Sequence, residues 1–137
     1  MRHSKLTWLL PIILVLFLGL AACGTNPVTG KKELQFVSES QEVEIGRTQY
    51  GPAQQSQGGD FKVLPEVSTY VNEVGQKLAA VSDRPLPYEF VVLNSSVPNA
   101  WALPGGKIAV NRGLLTALDN EAELAAVLAH EIVHAAA

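Results

Sequence analysis

The sequence contains little positive charge, one cysteine and no internal repeat. Ten Lys and Arg residues and 13 Asp and Glu residues give the 137-residue chain a formal net charge of −3. Lys31-Lys32 is its only pair of adjacent basic residues. Proteins that bind nucleic acid need clustered positive charge to neutralise phosphates, so the sequence argues against such a partner. The single cysteine, Cys23, excludes an intramolecular disulfide framework and a cysteine-rich metal site.

The composition is that of a folded domain. A length of 137 residues accommodates one domain of ordinary size. Apolar residues make up 47% and charged residues 17% of the chain. This balance provides enough apolar surface for a buried core and argues against intrinsic disorder.

A long apolar stretch near the N-terminus predicts an export signal. Residues 6–20 are almost uninterruptedly hydrophobic and follow Arg2 and Lys5, which is the layout of a signal peptide. A helix of this length reaches about 22 Å, short of the roughly 30 Å hydrocarbon core of a membrane. We therefore predict that residues 1–22 are a cleaved signal peptide and not a permanent membrane span.

The residues around Cys23 indicate a lipid anchor. Leu20-Ala21-Ala22-Cys23 resembles a bacterial lipobox, in which the cysteine becomes the lipidated first residue of the mature protein. The alternative is an ordinary cleavage site that leaves a free thiol. Gly24 stands where an Asp is typical of inner-membrane retention, so the resemblance implies an envelope lipoprotein of the outer membrane that faces the periplasm. Residues 23–35 are predicted to be a tether, and residues 36–137 to belong to the folded domain.

Hydrophobic periodicity and turn signals predict an α+β domain. Six apolar residues between 67 and 81 follow one another at spacings of 3, 1, 3, 4 and 3, which places them on one face of a helix that begins at Pro65. They are Val67, Tyr70, Val71, Val74, Leu78 and Val81. The other predicted elements are a helix from Ser38, with a capping box to Gln41, to about Tyr50; a loop over 51–60; a strand over 88–93; a hairpin of strands 100–103 and 107–110 around Pro104-Gly105-Gly106; a helix over 112–118; and a last helix capped by Asn120, with Glu123 at its third position.

The last helix carries the pattern His130-Glu131-Ile132-Val133-His134. Two histidines four residues apart lie about 40° apart around a helix and one turn along it, so both imidazoles reach one metal ion. Glu131 is offset by about 100° from His130 and about 60° from His134, near enough to hold a water at that metal and accept its proton. The pattern is typical of zinc peptidases. The alternative is that the three residues merely decorate a helix.

Three further motifs accompany the histidine motif: Asn26-Pro27-Val28-Thr29-Gly30, the run from Pro98 to Gly106, and Arg112-Gly113-Leu114-Leu115. Together the four motifs resemble the HtpX-like metallopeptidases, a family that also includes the CAAX prenyl endoproteases. The resemblance implies a mostly helical gluzincin domain with a small sheet beside the active-site helix. It implies one catalytic zinc held by His130 and His134, with Glu131 as the general base.

The resemblance also implies a substrate strand. An edge strand near Asn99, Ala100, Trp101 and Ala102 would pair with extended polypeptide, which gives broad specificity for unfolded chains. The alternative is that Trp101 and Leu103 are simply core residues of the hairpin. Exported lipoprotein members of the family act in outer-membrane protein quality control.

No third zinc ligand follows the histidine motif in the sequence, and a carboxylate from an upstream loop is the alternative source. A catalytic zinc takes three protein ligands, and the family takes its third from a Glu on a downstream helix. Only Ala135, Ala136 and Ala137 follow His134, without a residue typical of a helix end. The expectation is therefore an N-terminal portion of a longer, membrane-anchored zinc endopeptidase that acts on unfolded or misassembled envelope proteins. The alternative is a catalytically inactive lipoprotein that serves as a binding or chaperone module.

Overall fold

The computed structural model describes residues 23–26, 30–34 and 37–137. The predicted signal peptide, residues 1–22, lies outside these ranges, as do Pro27, Val28 and Thr29 of the first family motif. The chain divides into two compact units, Met1–Val37 and Ser38–Ala137. Within the described residues, no helix combines the length and the apolar character needed to cross a membrane.

The first unit contains a short hairpin where the sequence predicts a tether. Strands β1 (Cys23–Thr25) and β2 (Lys32–Leu34) pair antiparallel. The Asn26 amide donates to the Lys31 carbonyl and the Gly30 amide to the Asn26 carbonyl, both at 2.8 Å. Gly30 adopts a φ of +68°, which glycine reaches without steric cost. The two hydrogen bonds of Asn26 connect β1 to β2, and Asn and Gly are residues that favour turns.

The second unit confirms the predicted α+β class. Four helices accompany a three-stranded mixed sheet. The elements in chain order are α1 (Glu39–Ser56), α2 (Pro65–Ala79), β3 (Glu89–Leu93), β4 (Ala100–Leu103), β5 (Lys107–Asn111), α3 (Arg112–Leu115) and α4 (Glu121–Ala136).

The sheet has the order β3-β5-β4. β3 runs parallel to β5, while β4 and β5 form the predicted antiparallel hairpin. Because side chains alternate along a strand, the two faces of the sheet bury different residues. One face contacts α2 and α4, and the other contacts Tyr50 of α1. The first face contributes Phe90, Val92, Ile108, Val110, Ala100 and Ala102, and the second contributes Val91, Leu93, Ala109, Trp101 and Leu103.

Helix α1 begins as predicted and ends later than predicted. The Ser38 amide donates to Gln41 Oε1 at 2.8 Å, and the Gln41 amide donates back to Ser38 Oγ, which completes the capping box. The loop predicted over 51–60 is wrong for residues 51–56, which are helical and include Pro52. An interior proline costs about 3 kcal/mol. The buried Tyr50 anchors this turn on the sheet, where its hydroxyl donates to the Ile108 carbonyl at 2.7 Å. The burial of its ring and this hydrogen bond together offset part of the cost of Pro52.

Helix α2 begins at Pro65 as predicted, but two of its six predicted core residues are exposed. Val71 and Val74 are buried, and Gly75 contacts the ring of Phe90 so closely that a Cβ would lie 2.6 Å from it. Val81 is 83% exposed because the helix ends at Ala79. Tyr70 is 43% exposed and turns its hydroxyl to Glu121 instead of the core. Helix α3 is also shorter than predicted and ends at Leu115.

Candidate metal centre

The capping of α4 fixes where the histidine motif lies. The Asn120 side chain accepts a hydrogen bond from the Glu123 amide at 3.1 Å, and Glu123 accepts one from the Asp119 amide at 2.9 Å. This confirms the predicted cap. The buried residues of the helix recur at three- and four-residue spacing and pack on the sheet, which directs the opposite side of α4 toward solvent. The buried residues include Leu124, Leu128, Ile132 and Ala135.

His130 and His134 lie on the solvent side of α4, and their rings converge. The two Nε2 atoms are 2.9 Å apart, and the ring planes are nearly perpendicular, at 81°. Two nitrogens bound to one tetrahedral zinc at about 2.0–2.1 Å would lie about 3.3 Å apart. The imidazole pair therefore fits a single zinc ion after a small adjustment, since neutral imidazole nitrogen is a preferred zinc ligand.

Glu131 lies between the histidines in sequence but on a more protected side of the helix. It is 9% exposed, and it is the only buried carboxylate among the side chains that the structure describes. Burying a carboxylate is costly without a compensating partner. The described residues give Glu131 no hydrogen bond or ion pair, in contrast to Glu123 at the start of the same helix. A buried carboxylate kept beside two convergent imidazoles is suited to handle a proton at a metal.

The described part of the chain supplies two candidate ligands, His130 and His134, and no third. No group of three or more His, Cys, Asp and Glu side chains there is placed to hold one metal ion. Glu121 and Glu123 are engaged at the other end of α4, with Tyr70 and with the helix cap respectively.

Strand β4, the predicted substrate strand, is one of the two outer strands of the described three-stranded sheet and packs beside α4. In an antiparallel pair, residues that exchange hydrogen bonds alternate with residues whose N–H and C=O point away. The Asn111 amide donates to the Asn99 carbonyl at 2.9 Å, and Trp101 is paired with Ala109. This alternation directs the main-chain polar groups of Ala100 and Ala102 to the open edge.

Trp101 belongs to the other face of the sheet. Its ring meets that of Tyr50 edge-on, with centroids 6.0 Å apart. Its indole nitrogen is buried without a hydrogen-bond partner among the described residues. The structure thus places the Trp101 side chain in the hairpin core, on the side away from α4.

Arg84 is a residue near the site that the sequence patterns did not indicate. Its guanidinium donates to the Ala136 carbonyl at 3.2 Å and to the carboxylates of Glu42 and Glu39 at 2.7 and 3.3 Å. Burial by itself lowers the pKa of Arg84, but hydrogen bonds and charges from Glu42 and Glu39 raise it above its ordinary value. The Ala136 carbonyl of α4 therefore receives a charged donor from a distant segment of the chain. No periodicity or motif marks this position in the sequence.

Comparison with known proteins places these features in a family. Residues 65–137 match the model of peptidase family M48. The mitochondrial metalloendopeptidase OMA1 of Schizosaccharomyces pombe is 36% identical over 112 residues, which cover 79% of this chain and 33% of that protein. The beta-barrel assembly-enhancing protease of Yersinia pestis is 33% identical over 128 residues, covering 80% and 26%, and that of Escherichia coli K12 is 31% identical over 111 residues, covering 80% and 22%. The chain thus spans a third or less of the length of these relatives.

Proposed function

Because the chain belongs to peptidase family M48, we propose that it carries the zinc-binding helix and substrate strand of a metalloendopeptidase. The observation that carries this proposal is the convergence of the two Nε2 atoms to 2.9 Å on a helix that also buries Glu131. His130 and His134 hold the metal. A further protein ligand comes from outside the residues that the structure describes.

In the proposed reaction, zinc supplies a Lewis acid for the scissile carbonyl. Glu131 takes a proton from the attacking water as the new C–O bond forms. It returns that proton to the amide nitrogen as the C–N bond breaks, so the products are a carboxyl group and an amine. The burial of Glu131 suits this role, because a carboxylate shielded from bulk water interacts more strongly with a proton at the metal.

We propose that the substrate is an extended segment of an unfolded or misassembled protein. Such a segment adds to the edge of β4 through the main-chain groups of Ala100 and Ala102. Asn99 precedes the strand, and the buried Trp101 side chain holds β4 in place from the other face of the sheet. Main-chain pairing recognises any extended peptide, which fits relatives named for enhancing β-barrel assembly. Misassembled proteins of the bacterial envelope are therefore the proposed substrates.

We further propose that the protein belongs to the exported lipoprotein branch of the HtpX-like peptidases. Cys23 is lipidated, and the lipid holds the protein on the outer membrane, facing the periplasm. The lipobox-like residues 20–23 support this placement. Cys23→Ser should abolish fatty-acid labelling and release the protein from membranes, because a lipid is the proposed anchor. Labelling that persists in the Cys23→Ser protein would refute the lipid anchor without affecting the peptidase proposal.

The test of catalysis is Glu131→Gln in the full-length protein. We expect cleavage of an unfolded protein such as casein to fall at least about 100-fold while bound zinc is retained, because the change removes a proton acceptor and not a ligand. Glu121→Gln is the matched control, since it makes the same change on the same helix and should leave cleavage unaffected. His130→Ala and His134→Ala should lose the metal.

Two outcomes would overturn this function. Near-wild-type turnover of Glu131→Gln would remove Glu131 from the reaction. A full-length protein that binds unfolded chains and never cleaves them would favour the alternative, a binding module. This alternative is tested because the described residues contain only two candidate metal ligands.

A further inference from the structure

Arg84 joins the end of α4 to the beginning of α1. It lies in the segment between α2 and β3, and its side chain is only 10% exposed. One guanidinium nitrogen donates to the Ala136 carbonyl, and another bonds the carboxylates of Glu42 and Glu39. A single buried cation thus contacts two helices that pack on opposite faces of the sheet.

The contact at Ala136 is close to a metal-binding residue. His134 lies in the last turn of α4, two residues before Ala136. The Ala136 carbonyl accepts its hydrogen bond from a charged guanidinium, and such bonds are about twice as strong as those between neutral groups. Arg84 therefore restrains the turn that orients His134.

The other end of the contact is rigid. Glu39 and Glu42 lie in the first turn of α1, where the capping box of Ser38 and Gln41 fixes the backbone. Glu42 has a side-chain exposure of 24% and makes the shorter bond to Arg84, at 2.7 Å, while Glu39 is 63% exposed and bonds at 3.3 Å. Because α1 is held on the sheet by Tyr50, Arg84 connects α4 to a fixed point.

We propose that Arg84 is a positioning residue for the metal site. By holding the last turn of α4 against the first turn of α1, it keeps the His134 imidazole at the separation from His130 that one zinc ion requires. The inference rests on the proposed function, since it assumes that the two histidines bind a metal. Side chains that orient metal ligands typically change metal affinity by about 10- to 100-fold when removed.

The test compares metal binding by variants of the full-length protein. Arg84→Ala should weaken zinc binding at least about tenfold and should alter the visible absorption of the cobalt-substituted protein, which reports ligand geometry. Arg84→Lys should recover part of the affinity, because it restores the charge without the planar set of donors that reaches both partners. Glu42→Gln should give a smaller loss in the same direction. Arg47→Ala is the control, because Arg47 bonds Glu44 on the exposed side of α1 and should change neither readout.

Hydrogen exchange separates positioning from global destabilisation. In the metal-free protein, Arg84→Ala should speed exchange of the Ala137 amide, which donates to the Val133 carbonyl, while the amides of β5 keep their protection. Wild-type zinc affinity and an unchanged cobalt spectrum in Arg84→Ala would overturn this inference alone. If Arg84→Ala does not fold, unchanged binding in both Arg84→Lys and Glu42→Gln would also overturn it. A wild-type protein that binds no metal would overturn the inference together with the proposed function.

Discussion

The two faces of the three-stranded sheet hold their helices by different means. The face toward α2 and α4 buries aliphatic and aromatic side chains. The face toward α1 adds polar contacts: Lys107, 5% exposed, pairs with Glu89 and lies 5.9 Å from the centre of the Tyr50 ring. Apolar side chains pack closely but do not fix the orientation of one element relative to another, whereas a hydrogen bond requires a particular angle between its donor and acceptor. The helix that carries the histidine motif is thus held on the sheet mainly by packing, and the hairpin that contains β4 is oriented by polar contacts.

The largest effect is expected where the apolar face is opened. Leu128 is fully buried at the centre of α4, so Leu128→Ala should lower the free energy of unfolding by about 3 kcal/mol, from lost burial and the remaining cavity. Val133→Ala is the control, because Val133 is 50% exposed on the same helix and should change stability by less than about 0.5 kcal/mol. Chemical denaturation measures both. Similar losses in the two variants would show that α4 is not held by its buried stripe.

The close contact between α1 and the hairpin gives the next effect. A Cβ on Gly46 would lie 2.0 Å from the Pro104 carbonyl oxygen, so the helix or the turn must shift. We expect Gly46→Ala to cost about 2 kcal/mol. Gly51→Ala is the control on the same helix, because a Cβ there meets nothing within 4 Å apart from its chain neighbours and the helix's own backbone. It should cost less than Gly46→Ala, although the ring of Pro52 disfavours a Cβ on the helical residue before it. A stabilising Gly46→Ala would contradict the observed approach.

Elements set by local rules were predictable, and those set by distant contacts were not. The Asn120 cap and the approach of the His130 and His134 rings both follow from residues close together in sequence, and both were predicted. The extension of α1 past Pro52 depends on Tyr50 reaching the sheet, 58 residues away in sequence at Ile108. Arg84 contacts Ala136 across a separation of 52 residues. Periodicity and capping patterns describe neighbours in sequence, so neither contact leaves a signal there.

Strand β4 shows the same difference between local and distant determinants. The hairpin around Gly105 and Gly106 was predicted from its turn residues, and both adopt a positive φ, at 76° and 82°. Which side chains of β4 face α4 depends on the register with β5, which places Trp101 opposite Ala109. The sequence left two roles open for the Trp101 side chain, substrate binding and hairpin core, and its packing supports the hairpin core.

The smallest effect tests the polar contact of α1. Tyr50→Phe removes the hydrogen bond to Ile108 and should cost about 1 kcal/mol at neutral pH. Burial first, then the charges of Glu89 and Asp60, raises the pKa of Tyr50 above its usual value. Its stabilising contribution is therefore complete below about pH 10, the usual tyrosine pKa, and is lost as the pH rises toward the folded-state pKa.

The wild-type protein should consequently lose stability more steeply than Tyr50→Phe above that pH, and the gap between them should narrow. Tyr70→Phe is the control for the phenol group: Tyr70 is exposed and its hydrogen bond to Glu121 also raises its pKa, so the control shows how much of the slope an exposed tyrosine contributes. Denaturant titrations at neutral and alkaline pH measure the slopes. Parallel pH profiles for wild type and Tyr50→Phe would mean that the Tyr50 hydroxyl reaches solvent. The α1 face would then be held, like the α4 face, by apolar packing.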